Sequence, residues 1–329
     1  MGFDFKKANQ SFDSLPYTKR LKSVGELAKS TLTIVGKDKD IITPWIRMTI
    51  YHAIMVTFFF SGFFLWQYNH PGYGLLSFFL AFLLFLYKHF YDNKQEMRMS
   101  WIVYETVIGN DPSYKGAVTA SKELKWHIRK IAGIDILMSF VNKSKYTGGG
   151  IVKMLIRLFI AGLEEVWDLA NHYLLPSVAV DKMDISSAVE EMKKLKDRVP
   201  ESLVGIFGID FLGRVVRHVT VPAYIILFII SGTLGYFGSE VFPATTIDFN
   251  GDDVAFTFVP IIFAFWIGKL FSNFFERTVT AIKVIYFTVF YTKITHPERI
   301  RDDMQEDLVD YLNLDPVEEV DNLEEQDVE

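Results

Sequence analysis

WIRMTIYHAIMVTFFFSGFFLW, residues 45–66, is the stretch that decides the fold of this chain. It is apolar over about 20 residues, the length that an α-helix needs to cross the roughly 30 Å of hydrocarbon in a bilayer. Trp45 and Trp66 bracket the stretch and Arg47 lies near its start, where residues that anchor a helix at a membrane interface are expected. The stretch therefore predicts a first membrane span.

Three further stretches have the same apolar character. The polar turn QYNHPG (67–72) leads directly into an apolar run over 73–91, which predicts a second span and a helical hairpin. Farther along, residues 220–237 and 256–275 predict a third and a fourth span. Within each pair, the two spans are therefore joined by a connection that is too short to form a domain.

Two prolines and one alternating segment refine the second pair of spans. Pro222 is predicted in the first turn of the third span, where its missing N–H does little harm, and Pro260 is predicted as a kink in the fourth. Between the spans, TTIDF-NG-DDVAF (245–256) alternates with a period of two around Asn-Gly. This pattern predicts a β-hairpin.

The distribution of Lys and Arg predicts the orientation. Both are frequent in the N-terminal segment, in residues 92–218 and in the C-terminal region, and both are absent from the two short connections. Cytoplasmic segments carry the excess of Lys and Arg in membrane proteins. We therefore expect a multi-pass protein of the cell membrane with both termini and the middle region in the cytoplasm.

The resulting prediction is an all-α integral membrane protein with four transmembrane helices in two hairpins and a helical cytoplasmic region between them. Its predicted regions are a cytoplasmic amphipathic segment (1–44), hairpin 1 (45–91), a helical cytoplasmic or membrane-peripheral region (92–218), hairpin 2 (219–277) with an extracytoplasmic loop (238–255), a cytoplasmic helical extension (278–314) and an acidic disordered tail (315–329).

Helices are also predicted outside the spans. Residues 23–35 have helical spacing of apolar side chains, and Gly36 is the predicted end of this helix. Residues 113–130 predict a helix after the loop signal Asn-Asp-Pro at 110–112. The apolar face predicted for the first of these helices consists of Val24, Leu27, Leu32 and Val35.

Two apolar stretches are harder to place. Residues 151–180 include several Lys, Arg, Asp and Glu, which are costly at membrane depth, so we expect an amphipathic or protein-buried helix that is partly re-entrant. Residues 278–292 continue the fourth span without a stop signal. They predict either an extension that packs against other subunits or an interfacial helix.

Three segments together resemble a known family. They are GELAKSTLTIVGKDKDIITP (25–44), VIGNDPSYKGAVTASKELKWHIRKIAGIDIL (107–137) and WDLANHYLLPSVAVDKMDISSAVEEMKKLKDRVPESLVGIFGI (167–209). Over roughly residues 23–240 the chain resembles an uncharacterised family of multi-span prokaryotic membrane proteins defined by a domain of unknown function. The resemblance implies a membrane fold and brings no activity with it. The family pattern is more apolar around Trp167 than this chain is.

Composition excludes several classes of function. The chain of 329 residues has no Cys, which removes disulfides, thiolate chemistry and Cys-based metal centres. Its net charge of −6 comes largely from the acidic tail, so nucleic acid is not an expected partner. No catalytic motif is present, and Gly148–Gly150 lacks the strand and the Lys-Ser/Thr of a phosphate loop. We therefore expect neither an enzyme nor a cofactor.

The one candidate for metal or proton chemistry is a set of three residues. Glu165, Asp168 and His172 fall at i, i+3 and i+7, so a helix would place them on one face, where they could bind a divalent cation or relay protons. The alternative is a polar stripe on a cytoplasmic helix. The acidic run 248–253 lacks the spacing of a calcium loop and favours a plain hairpin turn.

The function expected from the sequence is structural: a homo-oligomer that shapes, scaffolds or organises the membrane, with the lipid bilayer and its own copies as partners. The first alternative is a homo-oligomeric channel lined by Thr57, Ser61 or Ser231. The second is a metal-dependent membrane enzyme built on residues 165–172. The spans lack charges near mid-depth, which disfavours an ion-coupled transporter.

Overall fold

The computed structural model describes residues 16–133, 174–188, 190, 203–249 and 252–305. The predictions for residues 134–173 and for the acidic tail lie outside them. The main elements, in chain order, are α1 (Tyr17–Lys37), α2 (Ile42–Gln67), α3 (Pro71–Val107), α4 (Tyr114–Glu123), α5 (Leu203–Phe237), β1 (Thr245–Phe249), β2 (Asp252–Phe256) and α6 (Val259–Thr295).

Four of the helical segments are long and apolar enough to cross a membrane. This finding confirms the prediction of a mostly helical membrane protein with four candidate spans. Between 11% and 22% of the most apolar window of each is buried inside the protein, so most of each span faces outward. The segments are Lys39–Gln67, Pro71–Val107, Gly213–Glu240 and Val259–Thr295.

The chain divides into two compact units. The first, here called the span unit, consists of Ile46–Tyr91 and Gly213–Thr278. The second, here called the helical unit, consists of Met1–Trp45, Asp92–Leu212 and Val279–Glu329.

Within the span unit, α2 and α3 pack antiparallel at close range. The turn between them begins after Gln67, and Pro71 starts α3 at the first helical position, where its missing N–H has no intrahelical acceptor. A Cβ added to Gly74 would lie 2.9 Å from the carbonyl oxygen of Gly62, so the two backbones nearly touch. The Ser77 hydroxyl donates to the carbonyl of Phe58 at 2.7 Å and reinforces this contact.

The second pair of spans is joined by the expected β-hairpin. β1 and β2 pair antiparallel, with Thr245 opposite Phe256 and Asp248 opposite Asp253, which confirms the interpretation of the alternating segment. Pro260 is the second residue of α6 rather than a kink, so that prediction is wrong. Proline is well tolerated there because the first turn of a helix leaves its N–H groups without intrahelical partners.

Pro222 lies inside α5 rather than at its start, which is a second correction. The sequence predicts a span that begins at residue 220, but the helix already begins at Leu203, because residues 203–219 contain no proline and continue the apolar run towards the N-terminus. A proline removes one hydrogen bond from a helix interior. In the turn before Pro222, the Thr220 hydroxyl donates a hydrogen bond to the carbonyl of Val216 at 2.6 Å.

In the helical unit, α1 buries only part of the apolar face predicted for it. Leu27 and Ile34 are buried, whereas Leu32 is 68% exposed. The buried face follows the spacing i, i+4, i+7 from Leu27, which turns it away from Leu32. Gly36 does not end the helix, which runs to Lys37. Asp38 follows it with an extended backbone, and the Asp38 carboxylate accepts from the N–H of Asp40 at 2.7 Å and so caps the short helical turn Lys39–Ile41.

Ser113 begins α4, as the loop signal before it predicted. Its hydroxyl accepts from the N–H of Gly116 at 3.1 Å, the usual bond of a helix N-cap. The helix ends at Glu123, and a second helical stretch follows over 125–133, so the single helix expected for residues 113–130 is interrupted at Leu124.

The second and fourth spans continue well beyond membrane length. α3 and α6 each have 37 residues, a length of about 55 Å at 1.5 Å per residue. The continuation of α6 is almost fully enclosed: Tyr286, Phe287 and Phe290 are each 1% exposed. We expected this stretch to pack against other subunits or to lie at an interface. Instead it is buried within its own helical unit.

Candidate functional site

The candidate site is a cavity of about 650 Å³ that opens at the surface of the span unit. Side chains from α2, α3, α5 and α6 line it, among them His52 and Tyr224. Its volume lies in the range of about 300–1,000 Å³ that is usual for small-molecule sites in proteins. Most of its wall is apolar, and the few polar groups belong to α3 and α6, with one histidine from α2 and the Tyr224 hydroxyl from α5.

Phenylalanine rings form most of the wall. α3 supplies Phe78, Phe82 and Phe85 at i, i+4 and i+7, so all three lie on one face of that helix. α2, which packs against α3, supplies Phe59 and Phe60. The Phe59 ring meets the Phe78 ring edge to face, with centroids 5.7 Å apart, which is a favourable aromatic geometry.

The charged groups and the one side-chain amide are concentrated near one end of the cavity. They are Lys88 on α3 together with Lys269, Asn273 and Glu276 on α6. The three residues of α6 are spaced i, i+4 and i+7 and therefore share one helix face. The Lys269 ammonium lies 3.8 Å from the Glu276 carboxylate, which makes them an ion pair.

Two hydrogen bonds show which residues of neighbouring helices lie side by side around the cavity. The Tyr51 hydroxyl donates to the carbonyl of Leu84 at 2.6 Å, and the Trp266 indole N–H donates to the Thr57 hydroxyl at 3.2 Å. Lys88 lies one turn beyond Leu84, and residues 273–276 lie two to three turns beyond Trp266. α2 runs antiparallel to α3 and α6. The charged groups therefore lie beside the start of α2, at the end of the cavity farthest from Phe60.

Asn273 is the unusual polar residue of this site. It is 4% exposed, and its Nδ2 is a buried donor without a hydrogen-bond partner among the described residues. A buried donor that remains unsatisfied costs about 1–3 kcal/mol, and such groups are rare in folded proteins. Because Asn273 lines the cavity, a ligand with an acceptor group could satisfy this donor.

A second polar cluster lies in the helical unit. The Asp181 carboxylate accepts a hydrogen bond from the Tyr291 hydroxyl and lies 2.8 Å from Nε2 of His296. Arg299 donates to the Tyr104 hydroxyl at 3.0 Å, and this bond raises the pKa of the guanidinium. The cluster joins the end of the helical stretch 174–181 to the end of α6, and its groups satisfy one another, so it is a structural connection.

Two ion pairs hold the same segment against the stretch around α4. The Lys182 ammonium lies 2.7 Å from Glu123, and a hydrogen bond from Lys182 lowers the pKa of that carboxyl. The Lys130 ammonium lies 3.0 Å from Asp184. Hydrogen bonds from Lys130 and then Ser186 lower the pKa of Asp184 from 3.8 to about 2.

The residues predicted to bind a metal, Glu165, Asp168 and His172, lie outside the described residues, so their proposed shared face stays a prediction. Among the residues that the structure describes, no group of three or more His, Asp and Glu side chains could hold a metal ion.

The predicted pore residues have partners within the protomer. The Ser61 hydroxyl donates to the carbonyl of Thr57 at 2.7 Å, and the Thr57 hydroxyl accepts from Trp266. Ser231 is 3% exposed and donates to the carbonyl of Phe228 at 3.1 Å.

The sequence did not lead us to Lys88, Asn273 or Glu276 as site residues. A signal was present, because Lys269, Asn273 and Glu276 interrupt the largely apolar run 259–276 at the spacing of one helix face. The cavity itself depends on how four helices pack, which no local pattern encodes.

Fold and site together define a class: a multi-pass helical membrane protein with a largely apolar cavity among its candidate spans. Comparison with known proteins finds no matching family model, no matching curated protein and no matching solved structure.

Proposed function

We propose that this chain is a non-enzymatic, oligomeric integral membrane protein with a structural or membrane-organising role. In this proposal α2–α3 and α5–α6 form two hairpins in the cell membrane, and the helical unit and both termini lie in the cytoplasm. The charge distribution supports this orientation, because residues 67–72 and 238–258 contain no Lys or Arg.

The observation that carries the proposal is the outer surface of the span unit. Large apolar side chains project from it, including Ile54 at 47% exposure, Phe79 at 56% and Ile229 at 62%. Exposed apolar patches of this extent mark contact with lipid or with other protein. In a bilayer, such helix surfaces are covered either by lipid chains or by neighbouring copies that pack against them.

The hydrogen bonds of the hydroxyl groups that could line a pore favour the structural role over a channel. A water-filled passage through an oligomer needs polar groups directed at its axis. Thr57, Ser61 and Ser231 make their hydrogen bonds within the protomer, and Ser231 is buried there. Thr57 itself is exposed, but the exposed side chains around it on α2 are aliphatic and aromatic.

Disulfide cross-linking in native membranes tests the oligomer directly, because the chain contains no cysteine of its own. Single cysteines at exposed positions, Ile54→Cys, Phe79→Cys and Ile229→Cys, are compared with Val56→Cys, which is 5% exposed and faces the inside of the protomer. We expect covalent dimers from at least one exposed position and none from position 56. The absence of dimers from a full set of exposed positions on all four spans would contradict an oligomer.

A further inference from the structure

We propose that the cavity of the span unit binds a single anionic phospholipid from the bilayer, with an acyl chain between the phenylalanine rings and the phosphate at the end that carries Lys88, Lys269 and Asn273. This inference does not depend on the oligomeric role proposed above. A protomer that binds a lipid in this way could act alone or within an assembly.

The length of the cavity fits one leaflet. Its lining on α3 extends from Phe78 to Lys88, which is about 15 Å at 1.5 Å per residue. The hydrocarbon core of a bilayer is about 30 Å thick, so each leaflet contributes about half of it. A lipid chain that leaves its leaflet sideways would therefore extend along the phenylalanine wall with its headgroup still near the charged end.

The charges at that end favour an anionic headgroup. Lys88 and Lys269 contribute two positive charges and Glu276 one negative charge, so the sum over these lining groups is +1. Glu276 pairs with Lys269 at 3.8 Å and positions that ammonium at this end of the cavity. Charge-assisted hydrogen bonds from ammonium groups to phosphate oxygens are among the stronger interactions in proteins.

Asn273 supplies the second, independent observation. Its buried Nδ2 donor lacks a protein partner and belongs to the cavity wall. A phosphate or ester oxygen of the lipid would accept from it and remove the cost of the unsatisfied group. A purely apolar ligand would leave this donor unsatisfied, and a free phosphate ion would leave the phenylalanine wall without contact.

Photolabelling of the full-length protein tests the proposal. The probe is phosphatidylglycerol with a diazirine in one acyl chain, diluted into phosphatidylcholine liposomes that contain the reconstituted protein. We expect labelled peptides to include the cavity residues Phe59, Phe78 and Phe82. Unlabelled phosphatidylglycerol should compete with the probe, and the same amount of added phosphatidylcholine should not.

Two variants separate the headgroup from the acyl chain. Asn273→Leu removes the unsatisfied donor, and we expect about tenfold weaker labelling of the cavity peptides, the loss that one hydrogen bond to a charged group produces. Ala81→Phe places a ring in the cavity, because Ala81 is 4% exposed and lines it. This variant should abolish labelling at those peptides whatever the headgroup.

Matched controls keep the test interpretable. Arg47→Gln removes a positive charge from an exposed position of α2 outside the cavity, and Ala53→Phe adds a ring to α2 outside it. Both should label like the unsubstituted protein, and thermal melting should show that every variant is folded. Where Ala81→Phe fails to fold, Phe82→Trp is used in its place to narrow the cavity.

Three results would overturn the proposal. The first is labelling spread evenly over the outer faces of the spans and unchanged by Ala81→Phe. The second is equal competition by phosphatidylcholine, which would remove the selection by charge. The third is unchanged labelling in Asn273→Leu. None of these results bears on the cross-linking experiment, so failure of the lipid site and failure of the oligomer are distinguishable.

Discussion

The hydroxyl groups of Ser100 and Thr288 lie 2.8 Å apart in the buried interior of the helical unit, although 188 residues separate them in the chain. Thr288 donates its proton to the carbonyl of Val284 at 2.7 Å, so the donor of the bond between the two hydroxyls is Ser100. This bond joins the continuation of α3 to the continuation of α6. Both side chains are 0% exposed.

The direction of that bond predicts unequal effects of substitution. Thr288→Val keeps the shape of the side chain but leaves the buried Ser100 donor without its acceptor, which we expect to cost about 1–3 kcal/mol. Ser100→Ala removes the donor itself and should cost less. Denaturant unfolding of the purified protein in detergent measures both, with the exposed Thr119→Val as control. A larger loss for Ser100→Ala than for Thr288→Val would contradict the assigned donor.

The contact between α2 and α3 predicts a difference between two glycines of the same helix. Gly74→Ala would place a Cβ 2.9 Å from the carbonyl oxygen of Gly62, which is backbone and cannot move aside, so α2 and α3 must separate. We expect a loss of about 1–3 kcal/mol, as for other overpacked sites. Gly72→Ala is the control, since no atom lies within 4 Å of its added Cβ. Equal stability of the two variants would refute the close packing.

The Asp184–Lys130 pair predicts a dependence on pH. The pKa of Asp184 is lowered from 3.8 to about 2, so its ionised form is favoured in the folded protein. The stabilisation is then fully present above about pH 4 and is lost as the pH falls towards 2. Asp184→Asn should melt slightly below the unsubstituted protein at pH 6, and the gap should close near pH 2. A gap that is the same at both pH values would count against the pair.

The orientation predicts which residues an impermeant reagent can reach from outside the cell. Cysteines introduced at Tyr68 and Val241, both exposed and both in connections between spans, should react with a membrane-impermeant maleimide on intact cells. Cysteines at Thr119 and Trp126, in the helical unit, should react only after the membrane is opened. Labelling of the second pair on intact cells would reverse the proposed orientation.

Much of the fold follows from local patterns in the sequence. The candidate spans, the β-hairpin and the cap at Ser113 each depend on residues that are neighbours in the chain, so length, alternation and turn residues predict them. The errors concern long-range packing. Leu32 is exposed because the buried side of α1 runs through Leu27 and Ile34. The apolar stretch 278–292 is largely buried in the helical unit, where Thr288 meets Ser100 of α3.

The candidate site was less accessible to sequence reasoning. The spacing of Lys269, Asn273 and Glu276 is visible in the chain, but the same pattern is typical of a helix that exposes one polar face. Only the burial of Asn273 and the phenylalanine wall opposite it distinguish the two interpretations. Both properties arise from the packing of four helices. The metal-binding hypothesis for residues 165–172 stays a prediction.

Ion flux through the reconstituted protein tests the structural role most directly. Liposomes that contain the reconstituted protein and an ion-sensitive dye should show the same leak as liposomes with an equal amount of an unrelated membrane protein, because the hydroxyl groups of Thr57, Ser61 and Ser231 are already hydrogen-bonded within the chain. Reproducible conductance that Thr57→Val or Ser61→Ala abolishes would contradict this account and establish a channel in its place.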